Sequence, residues 1–266
     1  MCRFTRTSSA ANTLKLIETF NNHRTNIMNS KTAIITGASS GIGLGMAQTL
    51  LEKGYRVVAN SRNITKSNSL IGSDSLVLVD GDIADKAVAA RVVDTAIQKF
   101  GHLDLLVNNA GIFVAKPFTD YTPDDFNRVL TTNVAGFFYV TQLAIAQMRT
   151  QKSGHVVNIT TTLADQPIVG VSAALANLSK GGLQSVAKAL AMEYAGDGIR
   201  VNSIAPGVVN TPMHPPETHE SLKGLHPIHR LAEISEVVDA LLYLEAAPFV
   251  TGQTLYIDGG AHAGKW

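Results

Sequence analysis

The chain has 266 residues, 45% of them hydrophobic and 16% charged, which is enough apolar content for one sizeable core and too short for two large domains. Its 22 Lys and Arg against 21 Asp and Glu leave a formal charge of +1, which gives no field for nucleic acid or an anionic membrane and points to a small-molecule substrate. A single cysteine, Cys2, excludes an internal disulfide framework and any multi-cysteine zinc site, which suits a reducing, cytoplasmic setting; no uninterrupted apolar run reaches bilayer length.

Residues 1–30 differ from the rest. Arg3, Arg6, Lys15 and Arg24 stand against one acid, Glu18, and the only amphipathic piece is the short run around Leu14, Ile17 and Phe20. A targeting leader has this composition, but so does a disordered tail or a stretch ahead of a true start at Met28, and the shortness of the amphipathic piece favours the latter pair.

The β-branched run Thr32 to Thr36 ends abruptly in Gly37-Ala38-Ser39-Ser40-Gly41-Ile42-Gly43, and the helical pattern Leu44, Met46, Ala47, Leu50, Leu51 follows. A pyrophosphate needs close backbone approach and the amide donors of a helix N-terminus, and glycines make room for both. The Gly-Lys-Ser/Thr of a P-loop is missing. A second strand, Arg56 to Ala59, ends at Asn60-Ser61-Arg62. An acid at this strand end would take the 2′-hydroxyl of NAD, whereas Ser61 and Arg62 offer a hydroxyl and a cation suited to the 2′-phosphate of NADP, which makes NAD the less favoured cofactor. A third strand, Leu76 to Val79, leads to Asp82 and Ile83, placed to meet an adenine ring.

Val88, Val92, Val93, Ala96 and Ile97 mark a helix ending near Gly101, and Leu103 to Val107 form a fourth strand ending in Asn108-Asn109-Ala110-Gly111. Strand and helix alternate throughout, which predicts an α/β fold: a single Rossmann-like domain over residues 31–266, with a doubly wound parallel sheet between two helical layers. Thr122 and Pro123 begin another helix as cap and first residue, with Asp124 and Asp125 in its first turn. Asn133 lies inside that helical pattern, where its amide is locally unfavourable unless it kinks the helix or binds water. His155 is read as flanking the strand at Val156, not as a ligand.

Taken together, these residues resemble the short-chain dehydrogenase/reductase family from Lys31 to Gly260. Thr36-Gly37 to Gly43 looks like its cofactor loop, Asn108 to Gly111 its Asn-Asn-Ala-Gly turn and Asn133 its catalytic-helix asparagine. Gly198 to Gly207 resembles the strand and Pro-Gly turn that cover the nicotinamide, with Pro206, Gly207, Val209 and Thr211 as cofactor contacts, and Val250 to Gly260 resembles the final strand. The resemblance implies a tyrosine phenol that exchanges a proton with the substrate oxygen, a lysine that lowers its pKa and holds the ribose, and a Ser or Thr hydroxyl that orients the carbonyl. Lys180 matches the lysine and Thr161 the hydroxyl, with Thr160 and Thr162 as adjacent alternatives; the tyrosine position is Ala176. None of the six tyrosines stands four residues before a lysine, so no shift of register restores the pair.

Asp165 is the nearest titratable side chain in the following loop and a candidate substitute acid. Residues 208–230 correspond to the family's substrate lid, in which His214, His219, His226 and His229 are able to titrate near neutrality. His226 and His229 lack a third ligand, so no metal site is expected. The expected activity is hydride transfer between NADP(H) and a small carbonyl or alcohol with a non-standard proton donor. The alternatives are a non-catalytic NADP-binding sensor or partner subunit, and reduction of an imine or activated C=C bond. The family resemblance also implies a homo-oligomer, commonly a tetramer.

Overall fold

The computed structural model describes residues 31–264; the segment 1–30, with its competing readings as leader, tail or pre-start sequence, lies outside them. β1 (Thr32–Thr36), β2 (Arg56–Ser61), β3 (Leu76–Asp80), β4 (Leu105–Asn108), β5 (Gly154–Ile159), β6 (Ile199–Pro206) and β7 (Thr254–Ile257) form one sheet in the order β3-β2-β1-β4-β5-β6-β7. Every pairing is parallel. Parallel neighbours require crossovers. Five of the six connections run through α1 (Gly41–Glu52), α2 (Lys86–Phe100), α3 (Pro123–Leu130) with α4 (Gly136–Gln151), α5 (Gly182–Tyr194) and α6 (Ile234–Ala246), and the one from β2 to β3 carries only the 3-10 turn Ile64–Lys66.

Alternation along each strand divides the core between the two faces of the sheet. Ile35, Val57, Val107, Val157 and Ile204 pack on Met46 and Leu50 of α1 and Val237 and Leu241 of α6. Ile34, Val58, Leu106, Val156 and Val201 face the other way, onto Val92 of α2, Val140 and Met148 of α4 and Ala187 of α5. Each such aliphatic side chain, fully buried, contributes about 1.5–3 kcal/mol. Strand order reverses between β1 and β4, so the crevice at their carboxyl ends is where a sheet of this kind takes a ligand.

Local signals set the helix ends. Asp85 caps α2 by accepting from the Ala87 amide at 2.8 Å, and Gly101 closes it with φ of 86°. Thr122 and Asp125 form the capping box of α3, with Pro123 at its first position.

The structure departs from the sequence expectations at three places. His155 does not flank β5 but lies inside it, 2% exposed, because its imidazole is paired within the protein. The final strand is confined to Thr254–Ile257. Third, Pro123–Gln151 is one continuous helical run whose most apolar 18-residue window has a mean hydropathy of 1.4, by length and composition enough to cross a membrane. It is continuous because a π-turn, Thr131–Ala135, joins α3 to α4 instead of breaking them. Val140, Ala144 and Met148 of that run are buried in the core against the sheet.

Candidate active site

The carboxyl ends of β1, β2, β4, β5 and β6 open into one cavity of about 550 Å³. Its floor is a junction between two turns. Thr36 Oγ1, at the end of β1, accepts from the amides of Asn109 and Ala110, both at 3.0 Å, and the Asn109 side chain donates back to the carbonyls of Thr36 at 2.9 Å and Gly37 at 3.1 Å. The glycines are needed for contact here. A Cβ on Gly37, whose φ is 67°, would sit 2.9 Å from the Ala110 Cα, and one on Gly43 would come within 2.4 Å of the Gly37 carbonyl and the Asn109 amide nitrogen. Gly43 is therefore a packing glycine that lets α1 approach β1, while Gly37, Ser39, Ser40, Gly41 and Ile42 line the cavity.

The α1 N-terminus carries no side-chain cap from Ser40, so its first amides face the cavity without an internal acceptor from that residue. This is the arrangement that binds a phosphate. At the end of β2, Ser61 and Arg62 line the same cavity, and Arg62 makes no ion pair among the described residues. Asp82 and Ile83 line it beyond β3; Asp82 Oδ1 also accepts from the Ala84 amide at 3.0 Å, which fixes the carboxylate. Asn109, Ala110, Gly111, Pro206, Gly207, Val209, Thr211, Thr161 and Lys180 complete the expected residues that reach the cavity.

The three threonines after β5 are separated by their hydrogen bonds. Thr160 donates to the Ile204 carbonyl at 3.1 Å and Thr162 to Asp258 Oδ2 at 2.5 Å, which commits both hydroxyl protons. Thr161 Oγ1 only accepts, from the Leu163 amide at 3.3 Å, so its proton remains to be given to a ligand. Lys180 Nζ donates to the Ile159 carbonyl at 3.0 Å, and burial lowers its pKa to about 8.

Asn133 is 2% exposed and does not line the cavity. It sits in the π-turn Thr131–Ala135, and Lys180 sits in a second one, Asn177–Gly181. The two are coupled through Ser179, which accepts from Asn133 Nδ2 at 3.1 Å and donates to the Leu175 carbonyl at 2.8 Å. Asn133 also holds Ile112 at both its amide, 2.8 Å, and its carbonyl, 3.0 Å. Both amide hydrogens are thus used, and the residue fixes the backbone after Gly111 beside Lys180. A Cβ on Gly111 would lie 3.3 Å from both Asn133 Oδ1 and Lys180 Nζ.

Ala176 is 2% exposed and away from the cavity lining, and none of the six tyrosines lines the cavity. Asp165 does not line it either. It lies against Tyr256, whose phenol is pushed up by burial and by that carboxylate. Sequence reasoning turned the loop after β5 and the lid toward the substrate but singled out none of the apolar residues that line the cavity, among them Phe113, Leu163, Ile168, Val171, Leu222 and Leu225, because isolated aliphatic residues in loops carry no pattern. It named His214 and His226 without placing them. Both line the cavity, and His226 Nε2 accepts from the Val208 amide at 2.9 Å, pinning the lid to the Pro206-Gly207 turn.

Comparison with known proteins finds relatives that match most of the chain. Residues 37–262 match the family model described as enoyl-(acyl carrier protein) reductase. A protein of Streptomyces violaceoruber, named for ketoacyl reduction in the granaticin polyketide synthase, is 36% identical over 240 residues, covering 86% of this chain and 95% of the relative. Among solved structures, ElxO with NADP bound superposes with a TM-score of 0.83 at 29% identity, over 88% of this chain and all of that one. A 3-ketoacyl-(acyl-carrier-protein) reductase from Brucella melitensis complexed with NADH gives 0.82 at 32% identity, over 88% and 99%.

Proposed function

Because the chain belongs to the short-chain dehydrogenase/reductase family, we propose that it transfers hydride between NADP(H) and a small carbonyl or alcohol substrate, using a proton donor other than a tyrosine. The observation that carries this reading is Thr161: it alone of the three threonines keeps an uncommitted hydroxyl proton, and it lines the cavity together with Lys180. The relatives named for ketoacyl reduction support a ketone as the group reduced.

The residues present fit a dinucleotide. The glycine-lined approach at Gly37 and the open amides of α1 suit the pyrophosphate, and Lys180 suits the ribose. Asp82 and Ile83 suit the adenine, with Pro206, Gly207, Val209 and Thr211 at the nicotinamide end. Ser61 and Arg62, with no acid at the end of β2, suit a 2′-phosphate, and the NADP held by ElxO is consistent with that choice. When bound, the cofactor supplies the hydride. Thr161 donates its hydrogen bond to the substrate oxygen and orients the carbonyl. The Lys180 ammonium is the remaining proton-bearing group beside it, and it delivers the proton to the developing alkoxide directly or through a water. Lys180 also keeps its ammonium close to the Ile159 carbonyl, which limits where the charge points.

The test is a thermal-shift comparison of NADPH with NADH, followed by stopped-flow oxidation of NADPH against carbonyl, imine and activated-alkene panels. Preferential stabilisation by NADPH and turnover of a carbonyl are expected. Turnover of an imine or alkene alone would replace the substrate class, and the same lining residues would serve it. Stabilisation without turnover of any class would overturn the enzyme reading in favour of a nucleotide-binding sensor or partner subunit, an alternative motivated by Ala176. A homo-oligomer, in the tetrameric form common to such enzymes, is part of the same proposal. Val134, Phe138, Leu178 and Met192 are exposed along the π-turns, α4 and α5, and light scattering decides the state.

A further inference from the structure

The cavity has two unlike halves. Five titratable side chains line it: Arg62, Asp82, Lys180, His214 and His226. Arg62 and Asp82 belong to the β2 and β3 ends, where the cofactor reading already uses them. The remaining half lies beyond Thr161, between the loop after β5 and the lid. Leu163, Ile168 and Val171 form one wall, and Met213, Leu222 and Leu225 the other. No carboxylate or guanidinium enters this half among the described residues, and the Lys180 ammonium is drawn to the Ile159 carbonyl.

The wall formed by the lid has a defined position. Val209 pairs with Ala232, the Asn210 amide donates to the Ala232 carbonyl at 2.8 Å, and His226 accepts from Val208 at 2.9 Å. The segment between them is folded on itself: the His214 amide donates to Thr211, and His219 Nε2 bonds the His214 carbonyl at 2.8 Å. The helical turn His219–Leu222 and the turn after it then direct Leu222 and Leu225 at the cavity. Burial pushes both cavity-lining imidazoles below the usual histidine range, and for His214 the neighbouring His219 adds to the effect. Near neutral pH they add no charge to the apolar half.

From this arrangement we infer that the substrate is an uncharged carbonyl compound bearing an alkyl chain, with the chain held between Leu163, Ile168 and Val171 on one side and Met213, Leu222 and Leu225 on the other. The inference rests on the reading of the cavity as a carbonyl-reducing site. A carboxylate next to the carbonyl would find only the Lys180 ammonium, which the Ile159 carbonyl and the cofactor ribose already engage, and the hydroxyls of a sugar would each lose water without a partner. An alkyl chain loses nothing and gains the burial of its methylenes, one methylene corresponding to about fourfold in affinity. The same chemistry is offered by a free ketone and by the acyl part of a β-ketoacyl thioester, so both sources enter the test.

The experiment has a kinetic and an equilibrium arm. In the first, the full chain with NADPH is given methyl ketones from butanone to octanone, a short β-ketoacyl thioester series, 2-keto acids of matched length, and an aldohexose. The expected result is a kcat/KM that rises about two- to fourfold per added methylene in the ketone or thioester series, with keto acids and the sugar at least tenfold poorer than the matched ketone. Rising values for thioesters alone identify that source; rising values for both identify the free chain as sufficient. No dependence on chain length, or a preference for the keto acids or the sugar, would overturn the inference.

If nothing oxidises NADPH, the carbonyl-reduction reading fails by itself, and the equilibrium arm still decides the class. Binding of n-alkanols and of alkyl carboxylates to the NADP complex is measured by calorimetry. Alkanol affinity growing with each methylene, and weakened about tenfold or more by Leu222→Ser or Leu163→Ser, supports an alkyl site. Flat alkanol affinity, or tighter carboxylate binding, removes it. Circular dichroism of the two variants checks that they fold, and Met213→Ser, more exposed and outside any core, provides the same reading should either fail to.

Discussion

At the residue scale, the site turns on which side chains still have something to give. Thr160 and Thr162 are spent on Ile204 and Asp258, and Thr161 is not. Thr161→Val keeps the shape and removes the only free hydroxyl of the three, so kcat for the carbonyl substrate is expected to fall about 10²-fold, the usual effect of losing one hydrogen bond to a developing oxyanion, while NADPH affinity stays within about twofold. An equal loss for Thr160→Val would show that the three are interchangeable and remove the argument. Lys180 makes a second prediction. Burial brings its pKa to about 8, below that of an unfolded lysine, so the folded protein loses this proton first as pH rises. In the proposed reaction the ammonium is the form that would hold the ribose and carry the proton. The NADPH dissociation constant is therefore expected to be flat below pH about 7 and to rise above pH about 8, approaching tenfold per unit. In Lys180→Met the affinity should be weaker at neutrality and lack that rise; a wild-type affinity independent of pH through this window counts against the assignment.

At the scale of elements, the two π-turns explain why the helices that carry Asn133 and Lys180 are not ordinary amphipathic ones. Each widens one turn, and Ser179 ties them together through Asn133. Asn133→Ala would leave the Ile112 amide and carbonyl and the Ser179 hydroxyl short of a partner in a buried place. A loss of about 2–3 kcal/mol is expected, seen as a fall in Tm of about 5–10 °C, with a drop in kcat because Gly111 and Ile112 no longer hold their place beside Lys180. A variant with unchanged Tm would assign Asn133 no structural part. Much of this level was legible in the residues. Thr122-Pro123 marks its helix because capping is local chemistry, and Thr36 to Gly43 marks strand, turn and helix because only glycine permits the close contact found at Gly37 and Gly43. The π-turns were not legible, since an i to i+5 bond leaves no spacing that differs from an α-helix over five residues. The burial of Ala176 away from the cavity was not legible either: spacing gives the face of a helix but not what covers that face. Likewise Asp165 reads as a free loop acid until Tyr256, 91 positions on, is seen beside it.

At the scale of the whole molecule, chemistry and stability occupy opposite ends of the sheet. At the amino ends of the strands the Glu245 carboxylate, on α6, is 1% exposed and accepts from Lys31 Nζ at 3.0 Å and Tyr55 OH at 2.8 Å, with His155 Nδ1 at 2.6 Å from its other oxygen. Arg200 lies 3.6 Å from that same oxygen and 3.0 Å from His155 Nδ1, and Asn202 Nδ2 lies 3.0 Å from His155 Nε2. One acid thus joins the starts of β1, β2, β5 and β6 to the last helix. Burial alone would raise the Glu245 carboxyl, but the hydrogen bond from His155 and the Lys31 ammonium outweigh it and hold it well below the usual carboxylate range. Burial likewise pushes the His155 imidazole down. In both cases the unfolded chain takes up a proton at higher pH than the folded protein does, so stability is complete above the ordinary histidine pKa and is lost in two stages as pH falls, first below about 6.5 through His155 and then below about 4.5 through Glu245. Glu245→Gln removes the anion and leaves Lys31 and Arg200 facing a neutral amide. The cost expected for breaking a buried pair this way is about 3–5 kcal/mol, a fall in Tm of about 10 °C or more, and the second acid stage should disappear from the pH profile. Because the nearest part of the cavity is a full strand length away, the folded variant should bind NADPH as the parent does; weakened cofactor binding at a temperature where circular dichroism shows it folded would mean that the two ends of the sheet are coupled.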